Sequence, residues 1–451
     1  MWIRLLLALP LLLTVAPAAY AGERRPNIVF ILVDDLRYDG LGCTGHPFVK
    51  TPHIDRIARE GAKFKNAFVT TPLCSPSRAS FLTGRYVHSH GVQGNADNSA
   101  RSHQLTTFLR LLRERGYATG YVGKWHMGTD DTPRPGIDYW VSFKGQGPYT
   151  NPILNINGKR EEVEGYTTDL LNRHAVQFVR QKHGKPFVLY LAHKAVHGPF
   201  TPAERHKELY VKEPWTPPVK GTLAGKPAIT DNKEKEKPKM KKAAAAGGAE
   251  AIMRSQMRCL MSIDDGVGAL FQALEETGQL DNTIIVFTSD NGYFWGEHGL
   301  GDKRWAYEES IRIPLLIRAP GRTKAGTSID ALVLNIDFAP TFLELGGAAI
   351  PKEVQGRSLV PLLGGATKGW RTSFLAEYFQ EPNFPRVPTW QAVRTDRWIY
   401  IHYPANKHWD ELYDLQADAR QVRNLRQSPT AQQTLQELRT ELERLLKSTG
   451  G

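Results

Sequence analysis

Two apolar runs decide what this chain can fold into. Asn27-Ile28-Val29-Phe30-Ile31-Leu32-Val33 and Thr283-Ile284-Ile285-Val286-Phe287-Thr288 are rich in β-branched residues and show no polar alternation. Strands that read this way are buried on both faces, as in a parallel sheet covered by helices. The first run ends in Asp34-Asp35 and the second in Ser289-Asp290-Asn291-Gly292. Sheets of this class place ligands at the carboxyl ends of their strands. Adjacent carboxylates repel unless a cation lies among them. Asp34, Asp35, Asp290 and Asn291 are therefore candidate metal ligands, an oxygen-rich set that suits a hard divalent ion such as calcium better than zinc.

The segments between these runs alternate in character. Residues 51–61 read as a short helix with Ile54, Ile57 and Ala58 on one face, opened by Pro52 and closed by Gly61. Helical spacing recurs over 105–115, 168–182, 251–277 and 337–345. Residues 64–70, 117–122, 186–192 and 313–318 read as strands, and 131–168 reads as an irregular Gly/Pro/Asn-rich segment that shapes entry to a site.

The stretch Cys74-Ser75-Pro76-Ser77-Arg78-Ala79-Ser80-Phe81-Leu82-Thr83-Gly84-Arg85 carries the chemistry. Ser75 fits an N-cap and Pro76 the first helical turn, which puts Cys74 at the positive mouth of a short helix. Arg78, one turn on, is placed to reach back to the same point, so the stretch reads as a site for a tetrahedral oxyanion. Lys124 and His126, in Gly123-Lys124-Trp125-His126-Met127-Gly128, alternate on an extended segment and project to one side. A buried lysine there supplies charge, and a histidine supplies a proton or hydrogen bond. His88, His90 and His103 read as loop histidines.

Cys-Ser-Pro-Ser-Arg followed by Leu-Thr-Gly-Arg resembles the signature of the formylglycine-dependent sulfatases, type I sulfatases of the alkaline phosphatase superfamily. The resemblance covers nearly all of the chain after residue 22. It implies that Cys74 is oxidised to Cα-formylglycine by a maturation enzyme. The hydrate of that aldehyde offers one hydroxyl for attack on sulfur and a second for release of sulfate. It also implies a Ca2+ ion held by Asp34, Asp35, residue 74, Asp290 and Asn291. Lys124, His126, His197 and Lys303 match family positions that contact the sulfate or the formylglycine. Val196 stands where the family usually has the first proline of a Pro-His-x-Pro run, while His197 and Pro199 match. His197 is the candidate acid for the leaving alcohol, and His193 and Lys194 are weaker candidates beside it. The implied fold is α/β: a large mixed, mostly parallel sheet sandwiched by helices, with a smaller C-terminal α+β subdomain of antiparallel strands and a helix. The Leu412-Tyr413-Asp414-Leu415 run matches that subdomain, although Arg420 and Gln421 stand where an acidic residue is usual.

The divisions expected are a leader over 1–22, a catalytic domain over 23–365 with a flexible insertion at about 213–250, and a C-terminal subdomain over 366–451. The leader reading rests on an apolar run, too short for a comfortable membrane span, that ends in small residues near Ala21. It implies export to the periplasm, a lumen or the outside, with no stable membrane span. The insertion holds the charged run Asn232-Lys233-Glu234-Lys235-Glu236-Lys237-Pro238-Lys239. Three cysteines, Cys43, Cys74 and Cys259, make no disulfide framework, and the sequence leaves open whether Cys43 and Cys259 pair. A net charge of +12 favours polyanionic partners, but no nucleic-acid module pattern is present.

The expected activity is hydrolysis of sulfate esters on a sulfated carbohydrate, releasing inorganic sulfate. Two alternatives are a phosphonate or phosphate ester hydrolase of the same superfamily, and a non-catalytic sulfated-glycan-binding protein with Cys74 unmodified.

Overall fold

A computed structural model describes residues 25–96, 98–216, 223–235 and 248–451. The expected leader and residues 217–222 and 236–247 of the expected insertion lie outside the described residues.

The apolar runs form β1 (Asn27–Val33) and β8 (Thr283–Ser289), every residue of both buried. They pair in parallel, Val33 beside Ser289, so the acids that follow each strand emerge together. On the other side of β1 lies β7 (Phe187–Ala192), and beyond it β3 (Ala118–Gly123), both parallel to β1. Four neighbouring strands thus release their chains at one edge of the sheet: Asp34-Asp35, Asp290-Asn291, His193 to His197, and Lys124 to His126.

Among the described residues the sheet has eleven strands. On one side, β4 (Tyr139–Ser142), β5 (Ile153–Ile156) and β6 (Lys159–Glu162) extend it. On the other side, β11 (Arg312–Arg318) and β2 (Ala62–Phe68) run antiparallel to each other, and β12 (Thr327–Ile329) and β13 (Val333–Leu334) pair with β2. The segment 131–168, read as irregular, therefore contains three strands. The reason is physical. Each has four residues, and β6 (Lys-Arg-Glu-Glu) is an exposed edge strand whose charges carry no apolar signal and protect the edge.

Alternation along the strands splits the core into two layers. Phe30 and Leu32 of β1 face Phe81, Phe108, Phe338 and Phe342. Val29, Ile31 and Val33 face the other layer, covered by the helices Thr167–Arg180 and Gly248–Glu276. In the long helix Leu260, Ile263, Val267, Leu270 and Leu274 are all buried, as their spacing predicts. The helix expected over 105–115 begins at Phe108, because the Thr107 side chain accepts the Arg110 amide and caps it there.

The C-terminal part is a separate four-stranded antiparallel sheet of β14 (Ser373–Tyr378), β15 (Trp390–Thr395), β16 (Trp398–His402) and β17 (Glu411–Asp414). The helix Gln432–Thr449 covers it with Leu435, Leu438, Leu442 and Leu445. Part of the stretch read as a solvated insertion is packed instead. The turn Pro227–Asp231 buries Ala228 and Ile229, and Lys226 just before it is fully enclosed. Lys226 lies over the rings of Tyr307 and Tyr413, 4.1 and 4.5 Å from their centroids, and donates to the Tyr413 hydroxyl and the Gln421 carbonyl, both at 2.7 Å. Gln421 occupies the place where an acid was expected by spending its main-chain oxygen on this lysine and its side chain on the Glu308 amide.

Candidate active site

Cys74 is the first residue of the helix Cys74–Thr83. The N-cap position falls on Leu73 and not on Ser75, because Ser75 is already helical and its side chain is used elsewhere. The Ser75 hydroxyl bonds the His126 carbonyl, and its amide donates to Asn95 Oδ1 at 3.0 Å. The helix ends at Gly84, whose φ of 69° supplies the left-handed cap. Every residue of this helix is buried, so the thiol is fixed in place and shut off from solvent.

Around Cys74 the four strand ends converge. Lys303 Nζ donates to Sγ at 3.1 Å and also binds Asp35. Asp34 Oδ1 lies 3.5 Å from Sγ, and Asp34 binds Lys124. Ligand atoms of Asp34, Asp35 and Asp290 all lie within 4.8 Å of one another, and so do those of Asp34, Cys74 and His197. Asn291 Nδ2 donates to Asp35 Oδ1 at 2.6 Å, while Asn291 Oδ1 is buried with no hydrogen-bond partner. His197 Nε2 is 3.8 Å from Asp35 Oδ2. His126 Nδ1 is 3.4 Å from the Ser75 hydroxyl.

Arg78, read as an oxyanion fork, spends two of its nitrogens on protein groups and leaves Nη2 without a hydrogen-bond partner. Its Nε donates to Asp290 Oδ2 at 2.9 Å and its Nη1 to the Lys124 carbonyl at 2.6 Å, while Nη2 lies 3.7 Å from Asp34 Oδ2. The guanidinium joins the acids of two strand ends to the main chain of a third. All ten candidate residues lie at this one edge of the sheet.

The electrostatics follow from burying three acids with three cations. Burial pushes the Asp290 carboxyl up to about 7, and the charge of Asp34 adds to the rise. Burial also opposes ionisation of Asp34, but Lys124, His197, Arg78 and Lys303 together outweigh it and hold its carboxyl well below the usual range. Burial raises the Cys74 thiol to about 12, with Asp34 acting in the same direction. His126 is held well below its ordinary value by burial and by Lys124, and burial lowers His197 to about 4. An unmodified thiol in this site is a protonated, poor nucleophile.

The residues present fit a divalent cation. Three carboxylates converge and the Asn291 carbonyl oxygen lacks a donor, which an oxygen-seeking ion would satisfy.

Several supporting residues carried no sequence signal. Glu381, from the loop after β14, accepts the Asn95 amide at 2.9 Å and Arg304 Nε at 2.7 Å. It thereby ties together the residue that holds the Ser75 amide and the neighbour of Lys303. His88, His90 and His103 lie outside the site, on Glu377, Ser80 and Asp130 respectively.

The sequence matches the sulfatase family model over residues 26–348 and the C-terminal model of N-sulphoglucosamine sulphohydrolase over residues 296–448. It is 33% identical to an N-acetylglucosamine-6-O-sulfatase of Bacteroides thetaiotaomicron, across 89% of this chain and 83% of that protein. It is also 33% identical to the human N-acetylglucosamine-6-sulfatase, across 90% of this chain and 82% of that one. A solved structure in complex with its substrate D-glucosamine-2-N,6-O-disulfate superposes with a TM-score of 0.85 at 30% identity, covering 95% of this chain and 98% of that one. By sequence along most of its length and by the fold of its described residues, the chain belongs to the type I sulfatases of the alkaline phosphatase superfamily, enzymes that hydrolyse sulfate esters.

Proposed function

We propose that this sulfatase acts on a sulfated amino sugar, removing a 6-O-sulfate from glucosamine or N-acetylglucosamine, with residue 74 as formylglycine and one Ca2+ in the acid cluster. The observation that carries the chemical reading is the enclosure of Cys74 between Lys303 and Asp34, with a thiol too basic to act as it stands. The sugar reading is supported by the relatives named for N-acetylglucosamine 6-sulfate and by the disulfated glucosamine in the similar structure.

In this reading Cys74 Sγ marks where an oxygen of the converted residue stands. When present, the aldehyde hydrate supplies the nucleophilic hydroxyl and a second hydroxyl for release. Asp34, Asp35, Asp290 and Asn291 would hold the calcium, which supplies positive charge beside the nucleophile and the sulfuryl oxygens. Lys124 and Lys303, both buried, neutralise charge that develops on those oxygens. Arg78 keeps Asp290 and the Lys124 main chain in register. Asp290 helps to take a proton from the nucleophile. His197 presents Nε2 toward the reacting side and gives a proton to the leaving alcohol, and His126, neutral beside Ser75, assists release. The first 22 residues are read as a secretory leader, consistent with a glycan substrate outside the cytoplasm. No helix among the described residues is long and apolar enough to cross a membrane.

The test has two parts. Peptide mass of the segment around residue 74, on protein from an exporting host, should show the thiol replaced by an aldehyde. The same protein should release sulfate from N-acetylglucosamine 6-sulfate faster than phosphate or phosphonate from matched esters. An intact thiol with no turnover overturns the mechanism and leaves a glycan-binding protein.

A further inference from the structure

His197 stands on a loop held by two residues that lie outside the matched motif. Tyr149, from the segment between β4 and β5, donates its hydroxyl to the His197 carbonyl at 2.6 Å. Lys194 Nζ donates to the Gly198 carbonyl at 3.0 Å, and that same oxygen lies 2.9 Å from His197 Nδ1. The Tyr149 ring joins the two contacts. Lys194 Nζ sits 4.7 Å from its centroid, and Tyr166 stacks on it with centroids 5.9 Å apart. Tyr149 and Lys194 are 4% and 2% exposed, so neither is a surface group that happens to touch the loop.

The consequence concerns which ring nitrogen carries the proton. A carbonyl oxygen only accepts, so the contact at Gly198 requires a proton on Nδ1. Nε2 is then the nitrogen that gains and gives the second proton, and it is the one that faces the acid cluster. Lys194 pins the Gly198 oxygen, and Tyr149 pins the His197–Gly198 peptide immediately before it. Releasing either allows the ring to turn or the peptide to rotate, and the proton donor loses its aim.

We propose that Tyr149 and Lys194 are positioning residues for His197, fixing its tautomer and direction so that proton delivery to the leaving sugar oxygen depends on them. This rests on the reading of His197 as the acid. As the S–O bond to the sugar breaks, its electron pair stays on the ester oxygen. The resting ring carries only its Nδ1 proton, so Nε2 first takes up a proton from solvent, to which the His197 side chain is partly open, then gives it to that oxygen and returns to the neutral imidazole. A sugar alkoxide needs that proton, whereas a nitro-substituted phenolate leaves well without it.

The experiment compares kcat/KM on N-acetylglucosamine 6-sulfate and on 4-nitrocatechol sulfate for wild type, Tyr149→Phe, Lys194→Met and His197→Ala, with thermal melts of each. Tyr149→Phe and Lys194→Met should each lower the sugar-to-aryl ratio by about tenfold, a fraction of the about 10²–10⁴-fold that a whole proton donor contributes. His197→Ala should lower it further. The double variant Tyr149→Phe/His197→Ala should match His197→Ala alone, because aim is worthless without the ring. Equal losses on both substrates in both single variants, or a double variant that loses the product of the two effects, overturns the proposal while His197 keeps its role. A His197→Ala variant whose ratio is unchanged removes His197 as the acid, and the proposal goes with it.

Discussion

At the residue scale the site is a balance of buried charges. Arg78, Lys124 and Lys303 are set against Asp34, Asp35 and Asp290 with almost no solvent to screen them. Asn291 is the neutral member, and its partnerless Oδ1 is the strongest support for the proposed calcium site. Asn291→Ala should weaken Ca2+ binding by at least about tenfold, read by calcium content after dialysis against graded buffers. An unchanged affinity removes Asn291 from the ligand set. The acids were legible because they directly follow two unmistakable strands. The contacts of Arg78 were not, since sequence gives its distance along a helix but not which of several nearby acids will claim it. Asn95 and Glu381 were invisible, because a loop residue that bonds an amide far away in sequence leaves no local pattern.

At the element scale two joints matter. Gly123 ends β3 with φ of 119°, and a Cβ there would lie 1.9 Å from the Ala192 carbonyl oxygen. Gly123→Ala should cost more than about 2 kcal/mol in urea unfolding and displace Lys124 and His126 with it. A variant of normal stability and activity would show that the close approach is dispensable. The second joint is His88, whose Nδ1 meets Glu377 at 2.9 Å and whose Nε2 meets the Thr449 carbonyl at 3.0 Å, linking the catalytic part to β14 and the last helix. Burial opposes its charge, but Glu377 prevails and raises the histidine above its ordinary value. A raised histidine stabilises fully below the unfolded value near ~6.5 and loses that contribution as pH climbs through the folded value. The stability gap between wild type and His88→Gln should thus be largest at about pH 5.5 and shrink above neutrality, with a flat gap as the contrary result. Long elements were readable from period and caps. The strands of 131–168 were not, because four residues are too few to show a period, and the outermost, β6, is charged throughout.

At the scale of the whole molecule the two sheets are bolted together at charged points. Lys226 is enclosed by Tyr307 of the catalytic part and Tyr413 of the C-terminal part, with Glu411 3.9 Å away accepting from both tyrosines. Burial lowers this lysine to about 8. Lys226→Met keeps the stem but leaves Glu411 without its cation, and should cost about 3 kcal/mol in unfolding free energy. A loss below about 0.5 kcal/mol would show that the tyrosine hydroxyls alone satisfy the acid. Composition reads this insertion as solvated and flexible, yet its described part around Lys226 is packed against both parts. Charge density drew attention to the lysine run, while the one lysine that is packed stands before it, beside a proline and two small apolar residues. The overall architecture was legible because the parallel strands and their covering helices obey simple periodicities. The docking of one sheet on the other depends on single side chains such as Lys226 and Glu381, which composition does not announce.

The enclosure of Cys74 has a consequence in time. Lys303 and Glu381, which complete the surroundings, are made long after residue 74, a delay of roughly tens of seconds at ordinary synthesis rates. A modifying enzyme must act on the extended peptide before the helix and the second sheet close over it. The proposed conversion is therefore a race between oxidation and folding, run once per molecule. On that reading, chains that fold first should be stable and inert. Preparations from different hosts should then differ in the fraction of active molecules while melting at the same temperature.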